Sequence, residues 1–130
     1  MANQTSKIFL DANILLEAVM FRGAKLKADE IIRNNCGSIY ISALTAHLVI
    51  HFGVKVVELN VLKQFLLDFE IISLAKSDFA WAFINIKDND FEDALQLATA
   101  IKEGCEKFIT FDKNLYKKYQ YLSQIKVELA

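Results

Sequence analysis

Apolar residues along this chain fall into two kinds of run. Short stretches that are apolar throughout recur at Ile8-Phe9-Leu10, Ile39-Tyr40-Ile41, Ile71-Ile72 and Phe108-Ile109. They are too short for helices and are bounded by polar or turn residues, so they read as strands buried on both faces. The first, Lys7 to Leu10, ends at Asp11. The others extend as Glu70 to Ser73 and as Phe108 to Thr110, the latter closing at Phe111-Asp112. A last apolar run, Ile125 to Leu129, suits an edge strand.

Between these runs the spacing turns helical. Ile14 to Met20 predicts a helix with Asn13 as cap, and Ala24 to Asn34 a second, apolar at Leu26, Ile31 and Ile32 and stopped by Asn35-Cys36-Gly37. Ser42 is a good N-cap for Leu44 to Phe52, which is apolar nearly all round and should be well buried. Leu59 to Phe69 predicts another helix, and Ser77 can cap one running through Trp81 to Ile86. Asp90 opens a long helix that ends before Gly104, and Tyr116 to Tyr119 is a short helix or turn. Strands that alternate with helices predict an α/β fold: one parallel sheet covered on both faces. Right-handed crossovers bring all strand C-termini to one edge, where open α/β sheets bind their ligands.

Composition narrows this further. With 130 residues, 54% hydrophobic and 24% charged, the chain suits a single domain over 1–130 with one real core and is not a disordered chain. Proline is absent and glycine occurs four times, which excludes a Pro/Gly-rich linker. Net charge is -1, without the basic excess typical of proteins that hold nucleic acid mainly through phosphates. Lys102, Lys107, Lys113, Lys117 and Lys118 gather towards the C-terminus, as either a solvated surface or a local phosphate-facing patch. Cys36 and Cys105 form no CxxC pair, and buried free thiols in a reducing cytosol are the simplest expectation. The apolar stretch from Ile8 to Phe21 is broken by Asp11, Asn13 and Glu17, so it reads as neither a signal core nor a membrane span. A cytoplasmic protein is expected.

The acids carry the candidate chemistry. Asp11 ends the first strand, Asp112 follows a later one, and Asp93 lies in the first turn of the helix from Asp90. Carboxylates brought together repel and take up protons unless a cation joins them. Mg²⁺ or a similar hard ion, held by a few carboxylates and water, can activate water against a phosphodiester. Each acid also has a plainer role, since Asp serves as turn former or cap and favours a helix N-terminus. A phosphotransferase of haloacid-dehalogenase type needs a second acid after the first, and Asp11-Ala12-Asn13 lacks it.

Four segments together resemble the PIN domain family, which includes the VapC-type toxins of bacterial toxin–antitoxin pairs. They are Ile8-Phe9-Leu10-Asp11-Ala12-Asn13-Ile14-Leu15-Leu16, Ile41-Ser42-Ala43-Leu44-Thr45, the run from Asp90 to Ala100, and Phe108-Ile109-Thr110-Phe111-Asp112-Lys113. The third is the most specific, joining Glu92-Asp93-Ala94-Leu95 to Ala98-Thr99-Ala100. The resemblance implies a three-layer domain with a five-stranded parallel sheet and a Mg²⁺- or Mn²⁺-dependent ribonuclease. It implies Asp11, Asp93 and Asp112 as metal ligands, with Asn13 and Thr110 as polar supports of the first and last acid. Asp90 matches an acid that helps the metal or only caps the helix. A small antitoxin and a homodimer are the implied partners.

One departure stands out. Most active members carry a glutamate on the helix after the second strand, yet no Asp or Glu occurs between Glu30 and Glu58 here. Depending on alignment, the position is His47 or Leu48. Glu92 is a possible substitute from another helix, or a solvent-facing residue. Two functions are therefore carried forward: a metal-dependent endoribonuclease, and a catalytically silent PIN domain that binds RNA or a protein partner.

Overall fold

The computed structural model describes residues 6–130. Five strands, β1 (Ile8–Leu10), β2 (Ile39–Ser42), β3 (Glu70–Ile72), β4 (Lys107–Thr110) and β5 (Lys126–Leu129), form one parallel sheet in the order β3-β2-β1-β4-β5. The helices are α1 (Ala12–Val19), α2 (Lys25–Asn34), α3 (Ala43–Gly53), α4 (Leu59–Leu66), α5 (Lys76–Asn85), α6 (Phe91–Glu103) and α7 (Lys113–Tyr119).

Alternation within each strand builds the three layers. Ile8 and Leu10, Ile39 and Ile41, and Ile109 face a core made with α1 to α4, through Leu15, Ala28, Val49 and Leu62. Phe9, Phe108 and Val127 face the other way, into a core with Leu97 and Ala100 of α6 and Leu115 and Tyr119 of α7. Phe9 and Phe108 are register partners, and their rings stack 5.2 Å apart. The central strand β1 is apolar and buried throughout because both of its faces are covered, whereas the edge strands β3 and β5 keep Glu70 and Lys126 exposed.

Several local expectations need correction. The cap of α1 is Asp11, whose carboxylate accepts from Ala12 N at 2.7 Å, and Asn13 lies inside the first turn. The cap of α5 is Ala75, and Asp78 rather than Ser77 reaches back to the Ala75 amide at 2.8 Å. Helix α4 ends at Leu66, short of Phe69, and α7 extends over seven residues where a bare turn was allowed. Leu26, expected on the apolar face of α2, is 85% exposed. Helix α3 is buried on one side only, at Thr45, Ala46, Val49 and Gly53, while Ile50 and both histidines reach solvent. Of the two free thiols, Cys105 is buried as expected and Cys36 is exposed. Ser42 does cap α3, accepting from Thr45 N at 3.0 Å. Among the described residues, no helix is long and apolar enough to cross a membrane.

Candidate active site

The strand order fixes where a site can form. From β1 the chain moves to β2 and β3 on one side, then returns to place β4 and β5 on the other. The point of reversal lies between β1 and β4. Chain segments leave it in opposite directions and open a crevice beyond the strand C-termini. Asp11 directly follows β1, and Asp112 lies two residues beyond the end of β4.

A pocket of about 370 Å³ occupies that crevice, lined by Asp11, Asn13, Glu92, Asp93 and Asp112, with Leu16, Leu48 and Phe52 on its apolar side. Four carboxylates from three separate parts of the chain thus share one cavity. Among the described residues, no three His, Cys, Asp or Glu side chains are already drawn into a tight ligand cage. A donor set made only of carboxylate and amide oxygens suits a hard divalent cation rather than a soft one.

Thr110 organises the strand side of the pocket. Its buried hydroxyl donates to Asp11 Oδ2 at 2.7 Å and accepts from the Asp112 amide at 2.9 Å and from Asn13 Nδ2 at 3.3 Å. Asn13 Oδ1 accepts from Phe111 N at 3.3 Å. Asp11 Oδ1 accepts from Ala12 N, so each oxygen of this buried carboxylate has one fixed donor. Asp112 is held from the other side, where its Oδ1 accepts from Asn114 N at 2.8 Å and Leu115 N at 3.2 Å as the cap of α7.

Helix α6 presents Glu92 and Asp93 from its first turn. A buried polar triad sets its position. Ser42 Oγ donates to Gln96 Oε1 at 2.5 Å, and Gln96 Nε2 donates to Thr45 Oγ1 at 2.6 Å. These bonds tie α6 to the end of β2 and the start of α3. Lys102, lower on α6, donates to the buried Asp78 at 2.7 Å and to Ser73 O at 2.9 Å. Asp90 starts the helix without a side-chain capping bond, and its carboxylate is engaged by Lys118 of α7, which also pairs with Asp88 at 3.3 Å.

The electrostatics follow from this packing. Burial pushes the Asp11 carboxyl up to about 6; the Thr110 and Ala12 donors pull it back, and the Glu92 and Asp112 charges add to the rise. Asp93 is pushed up to about 7, first by burial and then by the charges of Asp11, Asp112, Asp90 and Glu92. Asp93 is the less buried of the two yet holds its proton more tightly. The reason is that Asp11 has two donors stabilising its anion, whereas Asp93 stands among like charges. A pocket that binds protons this readily favours any added positive charge.

The predicted residues sort clearly. Asp11, Asn13, Glu92, Asp93 and Asp112 line the pocket, and Thr110 lies behind Asp11. Asp90 stands next to Asp93 electrostatically but is paired to Lys118. His47 is exposed on α3 and outside the lining, whereas Leu48 is in it. The role of Gln96 and the pairing of Lys118 with Asp90 escaped the sequence reading. A lone polar residue inside the buried run Ala94 to Ala100 was the available signal for Gln96; nothing local marked Lys118. The C-terminal lysines do not form one patch, since Lys102, Lys107 and Lys118 are engaged by Asp78, Glu128 and Asp90.

A parallel α/β sheet with an acidic pocket at its switch point defines a class of small, carboxylate-centred domains. The sequence matches the PIN domain family over residues 8–120, and the chain belongs to that family. Among solved structures, it is similar to a chain of a toxin–antitoxin complex from Klebsiella pneumoniae (TM-score 0.73, 22% identity, 92% of this chain and 95% of that one). It is also similar to a sarcin-ricin-loop-cleaving VapC toxin from Mycobacterium tuberculosis (TM-score 0.70, 10% identity, 87% and 95%). A third is in the VapBC complex of Rickettsia felis bound to a promoter DNA fragment (TM-score 0.62, 19% identity, 95% and 98%). At these identities the likeness is one of fold. No curated protein matches the sequence.

Proposed function

We propose that the protein is an endoribonuclease that cleaves RNA phosphodiester bonds with the help of Mg²⁺ or Mn²⁺, and that it is the toxin half of a toxin–antitoxin pair. The observation that carries this reading is the convergence of Asp11, Glu92, Asp93 and Asp112 on one pocket at the sheet's switch point. Membership of the PIN family and structural neighbours described as toxins or toxin–antitoxin complexes support it.

In this reading Asp11, Asp93 and Asp112 hold the ion, with Glu92 as a fourth carboxylate. A divalent ion bound there would supply Lewis acidity at the phosphate and a water of lowered pKa. The chain's own part is positional. Thr110 fixes the rotation of Asp11, and Asn13 braces the turn after β4 against α1. The α7 amides hold the Asp112 carboxylate in place. Asp93, whose carboxyl burial and like charges push up to about 7 without an ion, would release its proton as the ion binds. Leu48 offers no oxygen on the α3 side of the pocket, which weakens any second ion position. The expected partner is a small antitoxin that covers the pocket or lays a helix on an apolar surface; a homodimer and a cytoplasmic location belong to the same proposal.

The other reading, a silent PIN domain, draws on that same leucine and on the net charge of -1. Cleavage of single-stranded RNA decides between them. The nuclease is expected to cut with Mg²⁺ or Mn²⁺, to stop with chelator, and to lose at least about a hundredfold in rate as Asp11→Asn. A folded wild-type protein, free of antitoxin, that cuts with neither ion establishes the silent module instead.

A further inference from the structure

Helix α3 contributes more to the pocket's surroundings than its apolar wall. Leu48 and Phe52 line the pocket, His47 and His51 stand four residues apart on the same helix, and Lys55 lies in the turn just after it. The His51 ring meets the Phe52 ring edge-on, with centroids 5.0 Å apart and planes at 78°. The His47 ring stacks against His51, at 5.8 Å and 25°. Lys55 Nζ stands 5.5 Å from the centre of Phe52. His47, His51 and Lys55 are all exposed, and Lys55 is in no ion pair among the described residues.

A pocket with four carboxylates repels the phosphates of an RNA chain. The lysines that could offset this repulsion are partly used up inside the protein, as Lys102, Lys107 and Lys118 are paired. Contacts that need little charge would then add to what a bound ion contributes. Stacking of unpaired bases on aromatic rings is such a contact, tolerant of sequence and strengthened by a single nearby cation. The rings run from Phe52 at the pocket wall through His51 to His47, with the lysine beside Phe52.

We propose that His47, His51, Phe52 and Lys55 form a stacking strip that positions the unpaired nucleotides next to the scissile phosphate. This rests on the nuclease reading above and makes the two histidines positioning residues rather than catalytic ones. The strip selects substrates whose bases are unstacked at the cleavage point.

The test is steady-state cleavage of a short, random-sequence, unstructured RNA pool with Mn²⁺ by the full-length protein. Wild type is compared with His51→Ala, the double variant His47→Ala/His51→Ala, and His51→Phe. Both histidines are exposed, so circular dichroism and Tm should match wild type. The alanine variants are expected to raise KM at least about fivefold with a smaller change in kcat, and His51→Phe to restore most of the loss. Direct binding of the same RNA by Asp11→Asn protein, with and without the histidine changes, should show the same ratio. Unchanged KM and binding in the alanine variants overturn the strip and leave the nuclease intact. Failure of phenylalanine to restore binding overturns stacking as its basis. If wild type neither binds nor cuts the RNA, the nuclease reading falls and the strip falls with it.

Discussion

At the scale of single residues, the two perturbed aspartates make stability depend on pH in an unusual direction. Burial and neighbouring charge raise the Asp11 carboxyl from an ordinary 3.8 to about 6 and Asp93 to about 7. The folded protein therefore binds protons that the unfolded chain has already released between about pH 4 and pH 7. Stability from these groups is complete below pH 4 and is lost as pH rises through the two folded values. For Asp11 the loss is roughly 3 kcal/mol by pH 8. For Asp93, which is partly solvated, the loss has the same sign, and water screening reduces it below what its shift alone implies. Chemical denaturation in chelator should show the ion-free protein more stable at pH 5 than at pH 8, apart from general titration. Asp11→Asn should flatten that slope and gain stability at pH 8; a variant with the wild-type slope contradicts this assignment. Both acids were visible in the sequence as residues following apolar strands or opening a helix. Their shifted proton affinities were not, because these depend on neighbours far along the chain.

Elements act on the site through how they are joined. Helix α6 carries two of the four pocket carboxylates, and the Ser42–Gln96–Thr45 triad holds it against β2 and α3. Gln96→Leu removes the amide bonded to two buried hydroxyls, which keep only their bond to each other and the Thr45 amide, and costs about 1–3 kcal/mol. Thermal denaturation should register this, and the metal-dependent activity should fall further than the Tm because Asp93 rides on the same helix. An equal fall in Ala98→Gly, a substitution on the same helix with no bond to the triad, would argue against a specific role for Gln96. The N-cap of α3 was legible, since Ser42 stands where an apolar strand gives way to a helical run. The cap of α1 was misassigned: Asp11 and Asn13 are both good capping residues, and only the backbone shows which amide is reached. The all-round apolar pattern of α3 misled for another reason. It is not enclosed by the layers, so Ile50, His47 and His51 stay in solvent.

For the whole molecule, the pocket is a crossroads. Asp11 and Thr110 are bonded across 99 positions of sequence, and α6 and α7 bring the other acids to the same point. An ion there would add a further link between segments already joined by hydrogen bonds and packing, and would stabilise the fold by mass action, by about 2.7 kcal/mol at a hundredfold excess over its Kd. Mn²⁺ is expected to raise Tm more at pH 8 than at pH 5, since protons and metal compete for Asp11 and Asp93. Leu48→Glu should tighten Mn²⁺ binding by roughly tenfold, enlarge that Tm shift and raise cleavage. In chelator the same variant should be less stable than wild type at pH 8, having one more repelling charge. Calorimetric titration with Mn²⁺ alone checks this; unchanged affinity would mean that α3 does not face the ion.

The sequence by itself determined the parallel α/β architecture, because strands covered on both faces must be apolar at every position and helices between them keep a longer period. It also determined which acids follow strands, and the family they resemble. Only the tertiary structure decided that Glu92 shares the pocket, that Leu48 rather than His47 stands in its wall, that Lys118 takes Asp90, and that Cys36 is exposed. The reason is one of range. Periodicity and capping are written within a few neighbouring residues, whereas a pocket is closed by side chains from distant segments whose mutual orientation is fixed only when the layers pack.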